Sequence, residues 1–218
     1  MRSQPDTLDP SPWMPFETRK RARDEKRVAL LRTAVRLFLE EGYHRTPLSK
    51  VAERLNITKM ALYNYFGSKE EILAELFRLG SEQYEAGFTA VETMNGNGLT
   101  KLRQLIQAYV VIVTDDFGMC FARIDDRELS DETRIAVRRA KRRYDSTFRA
   151  LIREGISDGS IRSCDPKLAA FVIIGALNGI ADWYRADGAL SSDILGAEFA
   201  KRLTEGYAMP MADQEQQQ

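Results

Sequence analysis

Apolar residues recur along this chain at helical spacing, and no stretch shows the period-of-two alternation of a half-buried strand. Val28, Leu31, Val35 and Phe38 form the first stripe and predict a helix that runs to about Glu41 and stops at Gly42. Leu48, Val51, Ala52 and Leu55 form the second, at i, i+3, i+4 and i+7, with Thr46 placed to cap that helix and Pro47 suited to its first position. Asn56 and Ile57 make a tight turn, and Thr58 caps a third, short helix. Leu62 and Phe66 give this helix an inward face, while Lys59, Met60, Tyr63 and Asn64 share an outward one. One face holds the module together and the other is free to read a surface.

Ser68 caps a fourth helix reaching to about Thr93, which at 1.5 Å per residue spans roughly 35 Å. Asn95-Gly96-Asn97-Gly98 closes it with a loop. A helix near 99–116 follows, with Leu102, Leu105, Ile106, Tyr109, Val110 and Val113 on its apolar face. A less regular piece covers Phe117 to Leu129. Ser130 then caps a long helix whose stripe is Val137, Ala140, Tyr144, Phe148 and Leu151 and which stops near Gly159. Asp165-Pro166 opens a helix to about Tyr184, and the last runs near 191–207. The predicted fold is all-α: an N-terminal three-helix helix-turn-helix domain followed by a second helical bundle. The boundaries expected are a disordered Pro- and Ser-rich leader over 1–18, the helix-turn-helix domain over 19–68, the bundle over 69–209 and a polar tail over 210–218.

Charge sharpens this picture. The chain of 218 residues has a net charge of zero, yet residues 19–70 carry thirteen Lys and Arg against six Asp and Glu. A basic head on an acidic body is the distribution that phosphate binding by one end requires. Lys69, in the first turn of the fourth helix, adds a cation where free N–H groups also favour an anion. The basic stretch Thr18 to Arg27 either continues the first helix backwards or forms an arm along DNA.

Lys59-x-x-Leu62-Tyr63-x-Tyr65-Phe66-x-x-Lys69-Glu70 resembles the signature of the TetR family of bacterial transcriptional regulators. Ala34, Leu37, Phe38, Gly42 and Tyr43, then Thr46, Val51 and Ala52, agree with it upstream, so the resemblance covers residues 26–73. Met60 departs from it, where a small residue is more usual, and so does Pro47. The resemblance implies a cytoplasmic homodimer on a palindromic double-stranded operator, a small-molecule effector and most often repression. It carries over Thr46, Lys59, Tyr63, Tyr65 and Lys69 as contacts to the DNA backbone, and Ser49, Lys50, Thr58 and Met60 complete the candidate face. Asn64 is the candidate base reader, because an Asn amide pairs bidentately with adenine.

The helix from Pro166 is apolar almost all round, which predicts burial on every side, within one subunit or between two. Gly175 and Gly179 permit another helix to approach closely. In the family the last two helices form the dimer interface, so the resemblance places Phe171, Ile174, Gly175, Gly179, Trp183, Phe199 and Leu203 there. The run from Gly175 through Asn178 and Trp183 to Ser191 is also similar to a branch of the family that includes acyl-CoA-responsive regulators. Phe117, Phe121, Tyr144, Phe148, Asn178 and Trp183 are the candidate effector contacts, with core and interface packing as the competing reading. Arg138, Arg139, Lys141, Arg142 and Arg143 form either a solvated surface, a seat for an anionic headgroup such as the phosphates of coenzyme A, or a DNA contact.

Other classes fare worse. His44 is the single histidine and has no Ser or Cys motif beside it, and no phosphate-cradling glycine loop appears, so an enzyme is not expected. Cys120 and Cys164 lack metal-ligand spacing and suit free thiols in a reducing cytoplasm, so neither metal nor cofactor is expected. The longest apolar run, Leu168 to Leu177, is too short to span a bilayer, and no secretory leader opens the chain. Two functional alternatives stay open: a regulator of drug efflux answering cationic or aromatic drugs, and an architectural DNA-binding protein with no effector.

Overall fold

A computed structural model describes residues 16–206 of the chain, and every element among them is a helix. Three helices build the head: α1 (Phe16–Glu41), α2 (Leu48–Arg54) and α3 (Lys59–Tyr63). The body holds α4 (Lys69–Glu92), α5 (Gly98–Val113), α6 (Asp116–Arg123), α7 (Asp131–Ser157), α8 (Pro166–Trp183) and α9 (Ser192–Glu205). A single 3-10 turn, Asp126–Glu128, joins α6 to α7.

Most helix starts follow their predicted caps. The side-chain oxygens of Thr58, Ser68, Ser130 and Asp165 each accept a backbone N–H in the first turn that follows, and Pro166 takes the first position of α8. Gly42 ends α1 with φ +93°, a left-handed conformation that glycine adopts without cost from a Cβ. Asn56, at φ 53°, ends α2 the same way. Its N–H donates to the Glu53 carbonyl while the Ile57 N–H reaches back to that of Ala52, a pair of bonds that fixes the sharp turn into α3.

Several expectations are corrected. α1 begins at Phe16, so residues 16–18 lie in a helix rather than in a leader, and the basic stretch from Thr18 continues α1. The leader proper and the polar tail lie outside the described residues. Val28 is exposed, because the core face of α1 runs through Leu30, Leu31, Ala34, Val35, Leu37 and Phe38 instead. Pro47, not Thr46, holds the cap position of α2, and no side chain caps it. The Thr46 hydroxyl turns inward and donates to the carbonyls of Leu37 and Gly42, which pins the end of α1 to the start of α2. The piece expected to be irregular is mostly α6, capped by Asp115 and turned 98° from α5.

The body packs around an aromatic cluster. Tyr84 and Phe88 on α4 meet Tyr109 on α5, Phe121 on α6 and Tyr144 on α7, with ring centroids 4.7 to 6.5 Å apart. Such pairs add roughly 0.5–1.5 kcal/mol each beyond burial alone. α6 lies against α4 at Gly80, where an added Cβ would stand 2.6 Å from the Phe117 carbonyl oxygen. Head and body are tied at the same place. Arg32 on α1 donates to both Asp115 and Asp116, Arg36 donates to Asp116, and the Arg32 guanidinium stacks 4.7 Å over Phe117.

Candidate DNA interface and effector cavity

α3 is anchored by Leu62 and by Phe66 just beyond it, both essentially without solvent contact. Helical spacing then forces Lys59, Met60, Tyr63 and Asn64 outward. All four are exposed, Met60 to 73%. The Lys59 ammonium stands 5.7 Å over the Tyr63 ring, which pre-arranges a cation and a phenol on one edge of the helix. Tyr65 is half-buried beside them. Lys69 projects from the start of α4 over Tyr43, 4.2 Å from that ring, with the His44 carbonyl 3.4 Å away. Burial lowers the Lys69 pKa, the nearby carboxylates of Glu70 and Glu128 opposing that shift. Burial, with Glu70 and Glu128, also raises the Tyr43 phenol to about 12, so it stays neutral at physiological pH.

The face differs from expectation at two residues. Thr46 is fully buried, and its hydroxyl is spent on two carbonyls, so it positions the module rather than meeting a phosphate. Lys50 is exposed but paired 2.6 Å from Glu41 of α1. Ser49 is half-buried on α2, and the Thr58 hydroxyl is engaged as the cap of α3.

In the body, a cavity of about 200 Å³ opens between α5, α6, α7 and α8. Tyr109, Phe121, Tyr144, Phe171 and Ile174 give it apolar walls, and Lys141, Asp145 and Asn178 give it polar ones. Of the candidate effector contacts, Phe121, Tyr144 and Asn178 line it. The others do not. Phe148 is fully buried in the aromatic core, Phe117 packs under Arg32, and Trp183 stacks on Phe199 with centroids 6.2 Å apart. The Tyr109 hydroxyl donates to the Asn178 side chain at 2.5 Å, which fixes that amide at the wall. Burial, with smaller effects from its neighbours, raises the Tyr144 hydroxyl to about 12. Lys141 was visible in the sequence only as one cation in a basic run; nothing local distinguished it.

The basic run itself divides. Arg138 pairs with Asp126, and Arg143 pairs with Glu85 and Glu92, so two of its cations are spent within the body. Cys120 is buried, and burial also pushes its thiol pKa up, which makes it inert at neutral pH. Among the described residues no cluster of His, Cys, Asp or Glu could hold a metal ion, and no single helix is long and apolar enough to cross a membrane.

α8 was expected to be buried all round. Within one chain its inner side, Ala169, Ala170, Ile173, Leu177 and Ile180, is buried, but an outer stripe is open. Leu168 is 61%, Phe171 51% and Val172 58% exposed, and an added Cβ at Gly175 or Gly179 would meet nothing within 4 Å. Trp183 is exposed at the end of the same helix, Ile174 is partly buried, and Phe199 and Leu203 are partly buried on α9.

An outward cationic recognition helix, a separate cavity in a helical body and an unpartnered apolar helix together define a dimeric helix-turn-helix regulator. The family comparison narrows this. Residues 30–76 match the bacterial regulatory proteins of the tetR family, and residues 95–207 match the tetracyclin repressor-like C-terminal domain. The chain belongs to the TetR family of transcriptional regulators, which bind operator DNA as dimers. It is 25% identical over 178 residues to the fatty acid metabolism regulator protein of Bacillus subtilis, covering 78% of this chain and 92% of that one. It is 22% identical over 188 residues to the transcriptional repressor KstR2 of Rhodococcus jostii, covering 85% and 92%. Among solved structures, the TetR family regulator PfmR of Thermus thermophilus aligns with a TM-score of 0.71 at 28% identity, covering 80% of this chain and 96% of that one.

Proposed function

We propose that the protein is a repressor that occupies a palindromic operator in the cytoplasm and is released by a small hydrophobic or acyl-CoA-type effector bound in the cavity of the body. One observation carries the reading. α6, which contributes Phe121 to the cavity, is the helix whose N-terminal carboxylates hold Arg32 and Arg36 of the head. A molecule that displaces α6 therefore acts on the orientation of α1, and through it on the two helices that follow. Relatives support the effector class. One is named a fatty acid metabolism regulator, and a solved structure at 24% identity, AibR, was determined in complex with isovaleryl coenzyme A and operator DNA.

In this reading α3 lies in the major groove, with Lys59, Tyr63, Tyr65 and Lys69 on the DNA backbone and Asn64 at a base edge. Ser49, Lys50, Thr58 and Met60 border the same face. Lys50 must leave Glu41 to reach a phosphate, an exchange of one exposed ion pair for another. The open stripe of α8, with Phe199 and Leu203, meets its copy in the dimer. No residue set for chemistry accompanies these surfaces, and the protein is read as a non-enzyme.

The test is fluorescence anisotropy on operator DNA selected from random sequence, with a panel of acyl-CoA thioesters and hydrophobic acids. Specific binding that one compound weakens by roughly 5- to 150-fold, the usual range of such coupling, is the expected result. Specific binding that no compound alters favours an effector-free architectural role.

A further inference from the structure

Lys141 is the one cation of the basic run that faces the cavity, and its ammonium has no carboxylate or carbonyl within bonding distance among the described residues. Its recorded contact is the Phe121 ring, 5.2 Å from the ammonium to the centroid. The carboxylates around it are engaged elsewhere. Asp125 pairs with Arg127, Asp126 with Arg138, and Asp145, which shares the cavity wall, pairs with Arg149 at 2.5 Å. Burial lowers the Lys141 pKa, and the charges of Asp126 and Asp125, each paired with an arginine, oppose this only in part. A half-buried ammonium facing a cavity without a directly paired carboxylate is a costly arrangement that an anion in the cavity would relieve.

Size limits what that anion belongs to. The cavity of about 200 Å³ compares with the about 150 Å³ of an engineered apolar cavity that takes benzene, so one substituted ring or a branched chain of equal bulk fills it. A coenzyme A nucleotide would have to lie outside. Of the flanking cations, Arg138 and Arg143 are already paired with carboxylates of the body, and Arg139 and Arg142 are exposed on the helix outside the cavity wall. We infer that the cavity takes a free monocarboxylate of single-ring bulk, its carboxylate on the Lys141 ammonium and its apolar body between Phe121, Tyr144, Phe171 and Ile174. The Asn178 amide, held by Tyr109, lines the same space and suits a polar substituent on that body. This rests on the cavity being the effector site of the proposed repressor.

The experiment uses the full chain on its selected operator, with three probes that differ only at the head: phenylacetate, neutral phenylacetamide and phenylacetyl-CoA. Binding is read by calorimetry and release by anisotropy. Phenylacetate is expected to bind and release wild-type protein at least tenfold more effectively than the amide. Lys141→Gln should lose that preference while melting close to wild type, and Lys141→Arg should keep it. Equal action of acid and amide on wild type overturns the inference without any variant being made. Retention of the preference in Lys141→Gln overturns it as well, as does binding of the thioester alone. Binding of none of the three also defeats it, while operator binding in the same titration would stand. Failure of ligand-free protein to bind any operator would instead defeat the functional reading beneath it.

Discussion

Tyr63 and Asn64 stand on a helix fastened entirely from behind, and this separates recognition from folding at single positions. Both are exposed, Tyr63 as the last residue of α3 and Asn64 as its C-cap, while Leu62 just before them is fully buried. Leu62→Ala should cost about 2–5 kcal/mol of head stability through the cavity it leaves. Tyr63→Ala should cost less, about 1 kcal/mol in urea unfolding, because the ring is 41% exposed and lies outside the core. It should still weaken binding to every DNA sequence, as a lost backbone contact does. Lys69→Ala should do the same with a smaller salt slope. Asn64→Ala should relax preference at one base position at a cost of about 1–3 kcal/mol, and an unchanged selection profile would remove Asn64 as base reader. Asp115 makes a pH prediction. Burial is the largest influence and pushes it up, but hydrogen bonds from Gln83, the Phe117 N–H and Arg32 together hold it below its ordinary value of 3.8. A carboxylate depressed in the folded state contributes stability that is complete above its unfolded value and lost as pH falls through the folded one. The tie between head and body should therefore weaken only below about pH 4, and Asp115→Asn should flatten that limb of the acid-unfolding curve.

Between elements, the decisive contacts are those of α6. Gly80→Ala would drive a Cβ against the Phe117 carbonyl and the Phe121 Cβ, 2.6 and 2.8 Å away, and backbone cannot yield as a side-chain tip does. A loss of about 1–3 kcal/mol in denaturant unfolding is expected. Asp116→Asn acts differently. Its ion pairs with Arg32 and Arg36 are partly exposed, so stability should change by less than about 1 kcal/mol. The ratio of operator affinities with and without effector should nevertheless shrink, since the strut from cavity to head loses Arg36 and keeps Arg32 only on Asp115 and Phe117. An unchanged ratio would show that coupling runs by another route. These contacts also mark how far the sequence could be read. Caps such as Thr58, Ser68 and Asp165-Pro166 act within one turn, so a local window contains all their chemistry. Thr46 precedes a proline as a cap would, but its hydroxyl satisfies carbonyls at the end of α1, which a local window does not reveal. The short α6 hides because its apolar residues, Phe117, Cys120 and Phe121, span barely two turns and surround Gly118. The cavity was legible in residue type and not in membership. Tyr109, Lys141 and Ile174 come from three helices, and only the register between those helices brings them together while sending Phe148 and Trp183 elsewhere.

At the scale of the whole molecule, one chain leaves its most apolar helix half bare. Leu168, Phe171, Val172 and Gly175 are exposed at i, i+3, i+4 and i+7, and partly buried Gly179 continues the same stripe at i+11 with open space where a Cβ would stand. Near its middle, the two glycines leave a flat lane in which a second helix can lie close. An open apolar stripe of this kind calls for a partner, and the family's dimers supply one with the symmetry that a palindrome needs. Joining two heads makes the second half-site contact intramolecular, which multiplies operator affinity by about 10²–10⁴ without any new contact to DNA. Val172→Glu tests both claims at once. Val172 is already more than half exposed in the single chain, so the substitution should leave the fold of each subunit intact by circular dichroism. In the dimer it would bury a charge opposite its own copy, and sedimentation should show monomers. Operator affinity should then fall by at least two orders of magnitude, approaching that of the same protein for an isolated half-site. A Val172→Glu protein that sediments as a dimer and keeps its operator affinity would place the interface elsewhere, and α8 would need another partner to cover it.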